Sequence, residues 1–467
     1  MRRKLLSALA LVSTIWAILW AFALLRWRAG DRIPAGNELA LQLLALPLAA
    51  TGLVGLAYAG MRRLRTIPGA HEAARGMPAA RETQVPQAAE AAWLPLLDAQ
   101  VLMPAGDAPE DVLQAARQGQ RPRLHTALRD ALHRPVLAAG VKGLDPDDLA
   151  WPAPMSAWPA PRRRVFALVE RLALRTLEAN SAILRSAAGR QAGPTPSAVA
   201  RIEWWLPKGW LGDDAPACST WLAEKLEASG WRRGEVPIEV FEADGELPAW
   251  RRLDALSRDA LRSADALPRL VIAGASHVDQ VQVSAWERAG ALYAPSTPEG
   301  RVPGEGAASI LVIPPGTLDR ISTPVRLSRP FLKPRGRRVD APQRLQSDVL
   351  MALAEEASTR DGRARGAPLA LFSDTDIRSS RCAEALHFAA ALQPDEDPMT
   401  SLYRVGVANG DCGMALCLAV IAAAMRHCVT RGQPCLVFSN GAPTLRAVML
   451  LSPSPSVGPA DRGTEGT

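Results

Sequence analysis

Two short segments hold the residue types that acyl-transfer or metal-assisted chemistry would use. The first is Ser276-His277 with Asp279 (ASHVD), directly after an apolar run. A nucleophile and its base must meet within hydrogen-bond reach, and neighbouring side chains of one strand point to opposite faces. GASHV also lacks the GxSxG pattern of a nucleophile elbow, so this segment reads as a structural loop. The second is the Asp374/Asp376 pair (DTD), whose spacing suits a divalent cation. After a strand, an Asp-rich turn capping the next helix is the commoner use, and no metal is expected. His387 and His427 fall in helical stretches and read as packing or surface residues. Gly304-Glu305-Gly306 precedes a strand, whereas a dinucleotide fingerprint follows one and opens a helix. It reads as a tight turn with close backbone approach, and no cofactor is expected. There is no Walker A, HExxH or kinase signature in the chain.

The six cysteines are too few for a disulfide scaffold, and neither a CxxC pair nor zinc-finger His/Cys spacing occurs. Cys412, Cys417 and Cys428 lie in one apolar stretch, where a reduced thiol is a small hydrophobe. Only five lysines accompany 49 arginines, which points to GC-rich coding and a bacterial source.

The net charge of +7 over 467 residues invites a nucleic-acid reading, but its distribution removes it. Nine Lys/Arg and only two Asp/Glu fall in residues 1–65, so the remainder carries 45 of each and is neutral. A neutral body lacks the positive field that phosphate backbones require. The basic run Arg326–Arg338 (RLSRPFLKPRGRR) reads as a solvated loop or as a surface for an anionic inner leaflet. Its membrane-facing candidates are Arg326, Arg329, Lys333, Arg335, Arg337 and Arg338. Five tryptophans between Trp204 and Trp231 suggest an interaction surface, with at least one of Trp204 and Trp205 exposed or packed on a loop.

The elements that position these residues follow from hydropathy. Residues 5–25 and 39–61 are apolar runs long enough to cross a bilayer. Six basic residues on their outer flanks against three between them favour both ends inside. Residues 1–65 therefore read as a two-helix transmembrane hairpin in a bacterial inner membrane, 66–92 as a flexible linker and 453–467 as a disordered tail. The body, 93–452, is expected to lie in the cytoplasm, its halves meeting near residue 290. Strands are expected at 99–103, 237–241, 270–273, 309–313, 369–372, 436–439 and 446–451, with helices at 163–184, 250–262 and 412–430. Their alternation argues for a layered α/β fold. The 412–430 helix is apolar nearly all round, which places it between sheets.

Three segments resemble the thiolase-like superfamily, in its ketosynthase branch. Arg269–Ala275 (RLVIAGA) is similar to the Gly-ending strand after the nucleophile helix. Gly300–Ile313 (GRVPGEGAASILVI) resembles the GEGAG stretch and the strand that follows it. Val405–Ala424 (VGVANGDCGMALCLAVIAAA), Pro434–Phe438 (PCLVF) and Thr444–Leu451 (TLRAVMLL) resemble the closing Gly/Ala-rich helix and its paired strands. Together they cover residues 235–452, and a complete fold needs residues 93–234 as its beginning. The resemblance implies an α-β-α-β-α body. It implies a catalytic Cys near Ala249 or Trp250, a histidine at Ser373 opening an HGTGTxxGDxxE pattern, and a second histidine at Asp411. None of the three is present; of the pattern, Thr375 and Glu384 remain.

The implied function is therefore binding by a site that has lost its chemistry, with Gly304, Glu305, Gly306, Thr375 and Gly410 as candidate binding residues. The alternative is an acyltransferase with a displaced thiol, Cys382 or Cys412. A narrower resemblance, to effector adaptors encoded beside bacterial type VI secretion lipases, implies a scaffold for a secreted protein partner. The family also implies a homodimer formed through the sheet edge.

Overall fold

A computed structural model describes residues 93–144, 151–152, 155–189, 198–211, 215–243, 246–262, 267–317, 321–340, 346–362 and 369–454. The transmembrane hairpin, the linker and all but the first two residues of the tail lie outside the described residues.

The elements are β1 (Trp93–Leu102), α1 (Pro109–Arg117), β2 (Arg123–Arg129), β3 (Pro135–Ala138), α2 (Ala160–Gly189), β4 (Arg201–Pro207), α3 (Ala215–Ala228) and β5 (Ile238–Ala243). Then come α4 (Glu246–Arg262), β6 (Arg269–Ser276), α5 (Gln280–Arg288), β7 (Glu305–Val312), β8 (Val325–Ser328), β9 (Phe331–Pro334), α6 (Asp348–Arg360) and β10 (Ala370–Ser373). The chain closes with α7 (Ser379–Leu392), α8 (Pro398–Ser401), β11 (Leu402–Arg404), α9 (Val405–Asn409), α10 (Met414–Arg431), β12 (Cys435–Ser439) and β13 (Leu445–Pro453). Every expected strand and helix is found, with shifted ends.

Leaving aside the β2–β3 hairpin and β9, which pairs with β13 off the main path, the strands form two halves with one plan. The first runs β5-β4-β6-β7-β1 and the second β11-β10-β12-β13-β8. Numbered by appearance within each half, both read 3-2-4-5-1. In both, the fifth strand alone runs antiparallel to its neighbours, β7 against β6 and β1, and β13 against β12 and β8. The first strands of the halves, β1 and β8, pair antiparallel from Trp93↔Ser328 to Leu96↔Val325. Because β7 completes the first half, the halves meet between β7 and β8, beyond the expected midpoint at residue 290.

Helix α10 packs on β6 and β7 of the first half and on β12 and β13 of the second, with α4 beside it. All its residues from Met414 to Met425 are buried. A helix so apolar is long enough to cross a membrane, but here it is a core helix packed between the two halves of one continuous sheet. Its small side chains let both halves come close, and Gly432 in the left-handed region (φ 63°) ends it. Helix α2 covers the outer face of β6, β7 and β1, and α6 covers β13 and β9. The body is thus a mixed α/β arrangement, a large sheet with helices against both faces, consistent with the expected layering.

With both faces of the sheet covered, strands lose the polar alternation of a half-exposed sheet. β4 (RIEWWLP) is buried throughout its five central residues. Trp204 faces the outer core, where its ring meets Phe166 edge-on at 4.6 Å, and Trp205 faces the central core. The expectation of an exposed tryptophan is thus corrected: Trp204, Trp205, Trp221 and Trp231 are all buried.

The basic run at 326–338 also differs from expectation. It supplies β8 and β9 rather than one solvated loop. The Arg326 guanidinium lies over the Trp93 ring at 4.4 Å, and Arg329 pairs with Asp254. Arg338 pairs with Asp340 at 2.8 Å, whereas Arg335 is buried against Glu384 at 3.2 Å and offers nothing to a membrane surface. Arg329, Lys333, Arg337 and Arg338 remain exposed.

Candidate functional site

The parallel strands of both halves end around one cavity of about 420 Å³. Pro207 and Ala243 reach it from the ends of β4 and β5, and Ala275 and His277 from the end of β6. The second half supplies Arg378, Asp411, Gly413, Met414 and the 441–444 loop, with Trp286 and Arg301 completing the wall. Carboxyl ends of strands are where α/β folds place ligands, because the loops there are free to vary while the sheet is not.

His277 and Asp411, 134 residues apart, meet in this cavity. The His277 backbone N–H donates to the Gly304 carbonyl at 2.9 Å, which fixes where the ring leaves β6. Its Nδ1 lies 2.7 Å from the Asp411 carbonyl oxygen. A carbonyl only accepts, so Nδ1 carries the proton in this contact, and Nε2 has no partner among the described residues. The Asp411 carboxylate accepts from Gly413 N at 3.0 Å and from Arg301 Nη1 at 3.3 Å, and lies 3.7 Å from His277 Nδ1. Burial alone would raise the Asp411 pKa; His277, Arg301, Arg378 and the Gly413 N–H outweigh it and hold the group below the usual carboxylate range. The sequence reading of ASHVD missed this meeting, since no local pattern joins positions so far apart. The other two residues have structural duties, although Ser276 closes β6 rather than lying in a loop. Asp279 caps α5 through Val281 N and Gln282 N, and Ser276 Oγ turns to Glu305 at 3.1 Å rather than to His277.

The GEG segment lies beside the cavity without lining it. A methyl on Gly304 would come within 2.3 Å of the Asn409 carbonyl and 2.9 Å of Cys412 Sγ. Gly410 has φ +66°, and Asp411 N donates to the Val302 carbonyl at 2.9 Å. These glycines let the two halves cross in contact. Glu305 is no turn residue; it starts β7 with its side chain fully buried. It pairs with Arg164, whose Nε donates at 2.8 Å, and accepts from Val141 N at 2.7 Å. The Gly306 position abuts Met103, where a Cβ would come 2.5 Å from Sδ.

The remaining positions form a second buried network. Ser373 Oγ accepts from Thr375 N at 3.0 Å and also contacts Thr375 Oγ1, which donates to Asn440 Oδ1 at 2.9 Å. Asp374 accepts from Ser439 Oγ and, at 3.1 Å, from Asn440 N. Burial pushes its pKa up to about 6, against those hydrogen bonds and helped by nearby Asp376. Asp376 pairs with Arg378 at 2.7 Å, so the two aspartates serve different partners. His387 Nδ1 meets Ser347 Oγ at 2.8 Å, and His427 packs edge-on to Phe372 at 5.5 Å, both packing residues as read. Trp250 is 1% exposed within the central core, and its Nε1 has no hydrogen-bond partner among the described residues.

Neither displaced-thiol candidate sits in a setting that makes a thiolate. Cys382 donates its thiol to the Asp376 carbonyl at 2.9 Å, and burial raises its pKa despite Arg404 Nη1 at 3.7 Å. Cys412 donates to the Asn409 carbonyl at 3.1 Å; burial, then Asp411 and Glu305, push its pKa well above the ordinary thiol value. Both thiols are expected to react with iodoacetamide at pH 7.5 at least roughly tenfold more slowly than in urea-unfolded protein, because only the thiolate attacks. Peptide mass mapping over time measures this, and native Cys412 labelled as fast as the unfolded form would contradict it.

No protein-family model matches the chain, and no curated protein sequence matches it. Solved structures do. The ishigamide ketosynthase/chain length factor superposes with a TM-score of 0.52 at 18% identity, covering 78% of this chain and 100% of that one. The ketosynthase from module 6 of the bacillaene synthase of Bacillus subtilis 168 gives 0.53 at 12% identity, over 78% of this chain and 72% of that one. The oxazolomycin ketosynthase domain of Streptomyces albus JA3453 gives 0.53 at 12% identity, over 79% and 75%. At such identities the likeness is one of fold: the described body has the thiolase-like fold of ketosynthase domains.

Proposed function

We propose that this chain is a non-catalytic ketosynthase-like protein that works by binding, as a scaffold or adaptor held at a bacterial inner membrane by residues 5–25 and 39–61. One observation carries the reading. A cavity lies at the strand ends, yet no cysteine is among the described residues that line it, and the two thiol candidates are committed to backbone carbonyls with raised pKa values. Covalent acyl transfer needs an activated nucleophile with a base in reach. Trp250, Ser373 and Asp411, the positions where the ketosynthase resemblance puts the thiol and its two histidines, are given over to packing and hydrogen bonding. A secreted effector of the type VI kind is the protein partner this adaptor role would serve, with the body on the cytoplasmic side.

Intact-protein mass spectrometry of the full chain after incubation with a panel of acyl thioesters tests the reading. No acyl adduct is expected from any donor. A gain of one acyl group, abolished by changing a single cysteine, would sink the non-catalytic reading and name the nucleophile of an acyltransferase.

A further inference from the structure

We infer that the cavity recognises a short aliphatic hydroxycarboxylate, its carboxylate on Arg301 and its hydroxyl on His277. The inference rests on the binding reading above and names the ligand for that same cavity. The wall formed by Pro207, Ala275, Met414 and Ala442 carries no charge and suits an aliphatic body. The volume of about 420 Å³ falls within the range of small-molecule sites. The polar groups that line the cavity are unevenly matched. Asp411 already faces Gly413 N, Arg301 and His277, so its acceptors are engaged.

Arg301 is not. Its Nη1 makes one contact, to Asp411 at 3.3 Å, its guanidinium lies 5.7 Å from the Trp286 ring centre, and its side chain is 47% exposed. The other guanidinium N–H groups have no acceptor among the described residues, and a planar fork of donors is matched by the two oxygens of a carboxylate. His277 supplies a second polar contact. With Nδ1–H spent on the Asp411 carbonyl, Nε2 has no partner among the described residues and can meet a hydroxyl. A ligand that satisfies both offers two oxygens to Arg301 and one O–H to His277. Both side chains bracket the same Asp411 carboxylate and the same Trp286 ring, so the two ligand groups must lie only a few bonds apart.

Calorimetric titration of the full chain in amphipol with 3-hydroxyhexanoate, hexanoate and hexan-1-ol decides the matter. Saturable binding is expected in that order of strength, loss of the hydroxyl weakening it roughly tenfold and loss of the charged carboxylate by more. Arg301→Gln should bring the hydroxy acid down to the level of the alcohol, and His277→Phe should erase the difference between hydroxy acid and hexanoate, with unchanged melting curves. Equal binding of alcohol and hydroxy acid by the unaltered chain would overturn the carboxylate assignment, and equal binding of the two acids the hydroxyl assignment. Hexyl phosphate binding above the hydroxy acid would replace the head group and overturn the inference. Absence of binding by all ligands would also overturn it, while the absence of acyl adducts would still stand as a separate result.

Discussion

Glu384→Ala is expected to lower the stability of the body by about 3–5 kcal/mol, the range for removing one partner of a buried ion pair. Glu384 is 1% exposed and faces two arginines, Arg446 through Nε at 3.0 Å and Nη2 at 2.8 Å, and Arg335 at 3.2 Å. It also accepts from Asn440 Nδ2 at 3.3 Å. Arg446 is 0% exposed, so without the carboxylate its charge has neither water nor a counter-ion. The loss would spread. Arg335 ties the end of β9 to α7, and Asn440 ties β12 to the Ser373–Thr375 turn. Glu384→Gln keeps the volume and one acceptor but turns an amide donor on the guanidinium groups, so it should fall between wild type and alanine. Urea unfolding followed by tryptophan fluorescence measures this as a shift in midpoint. A loss under about 1 kcal/mol would mean that water reaches the pair and that Glu384 does not hold the second half together.

The same residue explains what could be read from the sequence. Thr375 and Glu384 are the surviving members of the pattern that identifies the ketosynthase branch, and both prove to be joints of the buried network at Asn440. The two positions that match the pattern have packing duties, so the resemblance was strongest where it concerned architecture. Helix α10 was legible because a segment apolar all round has to be covered all round. β8 and β9 were hidden because their arginines look like solvent-facing charge, whereas Arg326 lies on Trp93 and Arg335 reaches Glu384. The repeated 3-2-4-5-1 order was invisible for another reason. It is written in hydrogen bonds between strands far apart, and the two halves use different side chains to form it. The His277–Asp411 contact belongs to this class, joining the end of β6 to the turn before α10.

Trp250→Cys asks whether restoring a thiol restores chemistry, and the expected answer is a weaker protein without activity. Trp250 lies in the central core with α10, between the halves of the sheet. Replacing a buried tryptophan with a small side chain costs about 3–5 kcal/mol, partly lost transfer energy and partly the cavity left behind. A cysteine there would meet no base. Ser373 is engaged with Thr375, and Asp411 accepts from Gly413 N while pairing with Arg301. His277 is the imidazole at the cavity, and its Nδ1–H is bound to the Asp411 carbonyl. A thiol in an apolar core also has its pKa raised, which removes the thiolate that would attack. Incubation of the variant with acyl thioesters should therefore yield no adduct above the unaltered chain, and its urea midpoint should fall with that of Trp250→Ala. Rapid single acylation of Trp250→Cys would show that the fold keeps a working site lacking only its nucleophile. Failure of acylation together with the stability loss would show that the indole belongs to the central core and that a thiol at this position is not activated.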